Sequence, residues 1–282
     1  MENNMKELYN RLIQLQELYF AKDEHSVSGN GNNLKLLDKS ITSLLKKLPD
    51  EEADFFQELQ ECTPPAIAPV VGETCYGCGI DLPVSLCADL LHLDKLYHCP
   101  NCARYLYPYQ GEKLTINDDL LRTRLPRLGI DRFSSKKLMI PNLQADTKEG
   151  VITELGTLIA EQFYHNDPAI LINTALEREA ITSTALEHGL AFPHVRGIDA
   201  GSLTVALGLK KKGLKCGAPK NGLTKIFFFI VIPISSSAFY LTLLAGLIQS
   251  LSTVETRKTL LSCKTQDELW ETLKKLTKVH IL

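Results

Sequence analysis

Two groups of residues have the type and spacing to do chemistry. The first is a set of four cysteines, Cys75-x2-Cys78 and Cys99-x2-Cys102, with twenty residues between the pairs. A C-x-x-C turn brings two thiolates about 3.5–4 Å apart, the separation that one tetrahedral zinc with bonds near 2.3 Å requires. Two such turns close the shell with four sulfurs and leave no position for water. They predict a structural zinc rather than a catalytic one. A redox dithiol is the competing use of such thiols. His92 and His98 are near enough to ligate, but four sulfurs suffice. Cys62, Cys87, Cys216 and Cys263 read as small buried residues.

The second is His194. In "GLAFPHV", residues 189–195, an apolar run ends at Phe192, Pro193 stiffens the chain and His194 follows at once. Such a histidine is either a packing residue at a strand end or a group held for reaction. A neutral imidazole nitrogen is a fair nucleophile near its pKa of about 6.5. A proline-fixed strand end would hold the ring at the surface, where a partner can meet it.

The chain that must position these residues has 282 of them, a length that suggests two domains. Apolar content of 44% and charged content of 23% are those of a globular protein. A net charge of −2 gives no chain-wide case for nucleic-acid binding. "MENNMKELYN" lacks the basic start and apolar core of a secretory signal, so a cytoplasmic location with reduced thiols is expected. No charged residue occurs from Ile226 to Val254. The strand-like "IFFFIVIPI" holds Pro233, and "SSSAFY" separates it from "YLTLLAGLIQSL". A buried strand, a loop and a helix fit this better than a membrane span.

Met5, Leu8, Leu12, Leu15 and Tyr19 recur at steps of three and four, as do Leu34, Leu37, Ile41, Leu44 and Leu48. Each set gives a helix one apolar seam. With the polar break "SVSGNGNN" between them they predict an antiparallel hairpin, packed as a simple bundle or as a partner-binding coiled coil. "DEEADFFQELQEC" follows Pro49 with acids in its first turn, which suits a helix dipole. "RTRLPRLGIDRFSSKK", residues 122–137, carries six basic residues and one acid. It reads as a solvated linker or a weak phosphate-binding or acidic-partner patch. The expected organisation is a helical hairpin and linker (1–71), a cysteine module (72–109), a linker (110–135) and an α/β domain (136–282). In the last, "DPAILINTALEREAI" opens with Pro168 at a permitted first-turn position, and Thr265 with Glu268 forms a capping box.

"CYGCGIDLPVSLCADLLHLDKLYHCPNCARYLYP" resembles the bacterial C4-type zinc ribbon that follows a coiled-coil hairpin. It shares the C-x-x-C, Leu82-Pro83, "CPNC", Arg104 and the closing "LY". The resemblance covers roughly residues 1–109. It implies an adaptor that binds other proteins, among them transcription and secretion components in some bacteria.

Residues 136–282 resemble the type-2 IIA domain of the bacterial phosphotransferase system, in its mannitol, fructose and nitrogen-regulatory branch. The residues that carry the resemblance are Arg178-Glu179, Ser183-Thr184 and "GLAFPH". The resemblance implies an α/β fold with a mixed central sheet flanked by helices. It implies that His194 accepts phosphate from the carrier HPr and that Arg178 is its charge partner. Ser183, Thr184 and backbone N–H groups would then be donors to the phosphoryl oxygens. The family often has a second histidine at the start of the penultimate helix; Tyr240 stands there, able to give one hydrogen bond but not a charge. The glycines expected after Ser-Thr are replaced by "ALEH", whose His188 reads as a surface loop residue or a partial substitute. No IIB or IIC segment occurs in the 282 residues. A regulatory role is therefore expected over sugar uptake. The alternative is a scaffold that has lost phosphorylation and only binds partners.

Overall fold

The computed structural model describes residues 2–27, 31–109, 129–163, 167–198, 201–233 and 237–281. They form two compact units, one ending near residue 111 and the other carrying everything from residue 129 onward. Residues 122–128 of the basic stretch expected at 122–137, and most of the linker at 110–135, lie outside the described residues.

The first unit begins with α1 (Glu2–Val27) and α2 (Gly31–Leu45), then α3 (Asp50–Cys62). Arg11 donates to the Lys47 carbonyl and Lys22 pairs with Asp38 at 2.8 Å, so α1 and α2 run antiparallel. The seam expected from the apolar spacing is where the core forms. Leu12, Leu15, Ile41 and Leu48 are buried together with Phe56, Leu59, Ile67 and Tyr105.

The last two belong to the segment 67–108 that contains the four cysteines. Its sheet contains β1 (Ile67–Val71), β2 (Thr74–Cys75), β3 (Tyr97–His98) and β4 (Tyr105–Pro108) in the order β2-β1-β4-β3. The short helix α4 (Val84–Leu90) lies between the two cysteine pairs in sequence. Helices and sheet therefore share one core. Buried polar bonds fasten them together: Ala66 N–H donates to Gln16 at 2.7 Å, and Tyr105 Oη donates to the Glu52 carboxylate at 2.5 Å.

The second unit is built on a five-stranded mixed sheet. β5 (Met139–Ile140), β8 (Thr204–Lys215) and β9 (Leu223–Pro233) lie side by side, and β6 (Leu190–Ala191) and β7 (His194–Ile198) both pair with β9 in parallel. β8 and β9 are antiparallel. Residues 226–233 of β9 are all buried, as a strand covered on both faces requires.

The helices are α5 (Lys148–Phe163), α6 (Pro168–Ile181), α7 (Ser237–Ser250), α8 (Val254–Ser262) and α9 (Gln266–Thr277). α5 covers the face of β9 that bears Phe229, close enough that a Cβ on Gly156 would meet that ring at 3.5 Å. α7 covers the opposite face, where Tyr240 meets His194. The capping box of Thr265 and Glu268 is formed, and Asp167 caps α6 ahead of Pro168. Among the described residues, no helix is long and apolar enough to cross a membrane.

Candidate functional site

The four cysteine Sγ atoms all lie within 4.8 Å of one another, with Cys75 to Cys102 at 3.9 Å and Cys78 to Cys99 at 3.6 Å. Four sulfurs about 2.3 Å from one ion would stand roughly 3.8 Å apart, so the cluster already has the size of a tetrahedral site. Local backbone makes it so. Gly79 N–H closes on the Cys75 carbonyl at 2.7 Å and Ala103 N–H on the Cys99 carbonyl at 2.9 Å. The residue after each pair takes the left-handed conformation, Gly79 at φ 74° and Ala103 at φ 61°. The N–H groups of Gly77 and Cys78 aim at Cys75 Sγ, and those of Asn101 and Cys102 at Cys99 Sγ. Such donors favour the thiolates a metal needs. Burial nevertheless pushes the Cys75 and Cys99 thiols up. At Cys78 burial is outweighed by bonds from Asn101, the Ile80 N–H and the neighbouring thiols, which bring it down to about 6. His98 turns its Nδ1 to the Ala103 carbonyl at 3.1 Å. This is the one cluster among the described residues that can hold a metal ion.

His194 occupies a different kind of site. The strand does not stop before it. Pro193 has no N–H, so pairing is interrupted between β6 and β7, while its carbonyl still accepts from Ile230 N–H at 3.0 Å. His194 thus opens β7 opposite Ile230. Its ring is fully buried, not at the surface as a strand-end histidine was expected to be. The reason is α7, whose Tyr240 ring packs 5.2 Å away, and the Phe192 and Phe228 rings stacked on the sheet two residues before.

The orientation of the imidazole is set by its own backbone. Nδ1 lies 2.9 Å from the Phe192 carbonyl oxygen. A carbonyl only accepts, so Nδ1 carries the proton and Nε2 holds the lone pair. Tyr240 Oη approaches Nδ1 at 3.4 Å, which places it beside the protonated nitrogen. Arg196, one strand period after His194, lays its guanidinium 4.7 Å from the Tyr240 ring centroid.

A chain of hydrogen bonds leads to this ring from α6, which packs against β7. The buried Glu179 carboxylate accepts from Thr184 N–H at 3.1 Å and from Thr184 Oγ1 at 2.6 Å, and pairs with Lys148 at 3.4 Å. The Thr184 carbonyl accepts from Phe192 N–H at 3.2 Å, and the Phe192 carbonyl holds His194. Gly189 enters β6 at φ 78°, where a Cβ would stand 3.0 Å from the Leu223 carbonyl.

The structure therefore brings His194 and Tyr240 together and puts Thr184 one residue pair behind them. Ser183 is turned away, its hydroxyl donating to the Cys216 carbonyl at 2.5 Å. Arg178 is buried in the last turn of α6 and donates to the Thr182 carbonyl at 3.1 Å. His188 is exposed. Arg196 and the structural role of Glu179 were missed by sequence reasoning. The spacing of two between His194 and Arg196, on one face of a strand, was the available signal for the first. Glu179, one of two glutamates that flank Arg178, offered none for the second.

Residues 132–276, just over half of the chain, match the family described as phosphoenolpyruvate-dependent sugar phosphotransferase system, EIIA 2. The chain is similar to the PTS system fructose-specific EIIA component of Haloferax volcanii, 27% identical over 127 residues that make up 45% of this chain and 82% of that one. It is 26% identical over 140 residues to the PTS system fructose-specific EIIABC component of Bacillus subtilis, covering 50% of this chain but only 22% of that one. Among solved structures, nitrogen regulatory protein IIA-Ntr from Neisseria meningitidis aligns with a TM-score of 0.46 and 21% identity. The alignment covers 50% of this chain and 96% of that one.

Proposed function

This chain belongs to the EIIA 2 family of the phosphoenolpyruvate-dependent sugar phosphotransferase system, and from that premise we propose that His194 carries a phosphoryl group received from an HPr-type carrier. The observation that supports this is the 2.9 Å bond from Nδ1 to the Phe192 carbonyl. It keeps the proton on Nδ1 and the lone pair on Nε2, so the ring is a nucleophile of fixed orientation. Nε2 attacks the phosphorus of the carrier's phosphohistidine. The new N–P bond forms as the old one breaks, and the carrier's imidazole leaves with the electron pair. Because the His194 ring is fully buried, the side chains over it must give way as the carrier docks. Thr184 and Glu179 hold the approach segment, and Tyr240 orients the ring from the Nδ1 side.

The cysteine cluster supports a second part of the reading. Cys75, Cys78, Cys99 and Cys102 hold one zinc ion whose role is structural, in a module that binds a protein partner in the cytoplasm. A closed four-sulfur shell supplies folding energy and leaves the ion no catalytic position.

Two observations favour a different function, a partner-binding protein that carries no phosphate. His194 is buried, and the hydroxyl protons of Ser183 and Thr184 are engaged elsewhere. Incubation with phosphoenolpyruvate, enzyme I and HPr, read by intact mass beside His194→Ala, separates the two. A single acid-labile phosphate absent from the variant supports the carrier. No phosphate on a folded chain, with the relay active on a control IIA protein, supports the binding protein.

A further inference from the structure

Arg196 follows His194 by one strand period. His194 lies opposite Ile230 and Arg196 opposite Ile232, both on β7. Residues two apart on a strand point to one face, roughly 6.6 Å apart at about 3.3 Å per residue. The register slips directly after Arg196, an irregularity of the kind that re-aims a side chain. Its guanidinium sits 4.7 Å from the Tyr240 ring centroid, and that ring is 5.2 Å from the imidazole. Imidazole, phenol and guanidinium thus form one cluster across β7 and α7.

A phosphoryl group on Nε2 brings up to about two negative charges into a buried place. It needs a fixed cation with donors aimed at its oxygens. Tyr240 cannot carry positive charge. Ser183 gives its proton to the Cys216 carbonyl and Thr184 gives its own to Glu179. Lys148 is paired with Glu179, and Arg178 donates to the Thr182 carbonyl. Arg196 is the cation on the same strand face as the imidazole, and a guanidinium binds phosphate through two parallel N–H groups without ever losing its charge.

We propose that Arg196 binds the phosphoryl group on His194 and that the Tyr240 ring is the seat that holds it there. The inference rests on His194 being the phosphoacceptor. On this account Tyr240 acts through its aromatic face, so the charge a histidine would bring at position 240 comes from β7 instead.

The test is the equilibrium of phosphoryl transfer between HPr and the full chain, with potassium phosphoramidate as a second, small donor. Arg196→Gln should shift the equilibrium toward phospho-HPr by about tenfold or more, the loss expected for one charge-assisted contact. Arg196→Lys should recover part of it, which a packing role would not predict. Tyr240→Phe keeps the ring and should transfer more than Tyr240→Leu, which should resemble Arg196→Gln. Circular dichroism confirms that each variant folds. An unchanged equilibrium in Arg196→Gln, or a Tyr240→Leu that transfers normally while Tyr240→Phe does not, overturns the assignment and leaves His194 as acceptor intact. A parent chain that loads from neither donor overturns both.

Discussion

Tyr240 Oη stands 3.4 Å from Nδ1 of His194, on the side of the ring already committed to the Phe192 carbonyl. The phenol therefore positions the imidazole and supports the fold. Tyr240 is one of the largest fully buried side chains in the second unit. Replacing it by phenylalanine should cost about 0.5–1.5 kcal/mol, the worth of a hydrogen bond, and replacing it by alanine about 3–5 kcal/mol, because a cavity is left. Urea unfolding of the two variants measures the difference; equal losses would show that the ring contributes little.

Glu179 acts at a distance from His194, through Thr184 and Phe192. Glu179→Ala leaves the Thr184 N–H buried without its acceptor, a loss of about 1–3 kcal/mol. It should also loosen the segment that sets the imidazole, so the rate of phosphoryl transfer should fall by more than the population of unfolded protein explains. Transfer rates measured well below the unfolding midpoint test this; a rate equal to the parent's would mean the chain of bonds does not reach the ring.

The first unit should depend on its metal. Its helices share a core with β1 and β4, so losing the ion from the cysteine cluster should destabilise α1, α2 and α3 as well as the sheet. The purified chain should hold about one zinc. A strong chelator should lower the first unfolding transition seen by circular dichroism and leave the second in place. Cys99→Ser should do the same, and a Cys99→Ser chain that keeps its full metal content would rule out the four-sulfur site.

Alkali should also act on the first unit. Tyr9 donates to the Lys95 carbonyl at 3.0 Å and accepts from Tyr97 N–H at 3.1 Å, tying α1 to the cysteine module. Burial is the main reason its phenol is pushed from 10 to about 12. A phenol held above its unfolded value favours the fold while neutral. Its contribution is complete below pH 10 and is lost as pH rises through about 12. Tyr9→Phe should remove this part of the alkaline transition, seen as a shallower fall in melting temperature between those values. Identical profiles would contradict the role given to Tyr9.

Much of this architecture was legible from residue pattern. The seam through Leu12, Leu15 and Ile41, the two cysteine turns, the buried strand of 226–233 and the capping box at Thr265 all follow from local periodicity and turn chemistry. What was not legible depends on which element covers which. Nothing local to "GLAFPH" indicates that α7 closes over His194, so the ring was expected at the surface and is buried. Pro193 reads as a strand end but only interrupts pairing, because its carbonyl still bonds to Ile230. Ser183 and Thr184 were expected as donors to phosphate. Their protons go to Cys216 and Glu179, partners 33 and 5 residues away that no motif pairs with them.

The most direct measurement is the position of the phosphoryl group on the loaded chain. The protein is phosphorylated through enzyme I and HPr, and phosphorus and nitrogen NMR of the histidine-labelled chain identify the modified atom. The account predicts one phosphoryl group, on Nε2 of His194, with Nδ1 still protonated. A group on Nδ1, on another residue, or no group at all on a folded chain would contradict it.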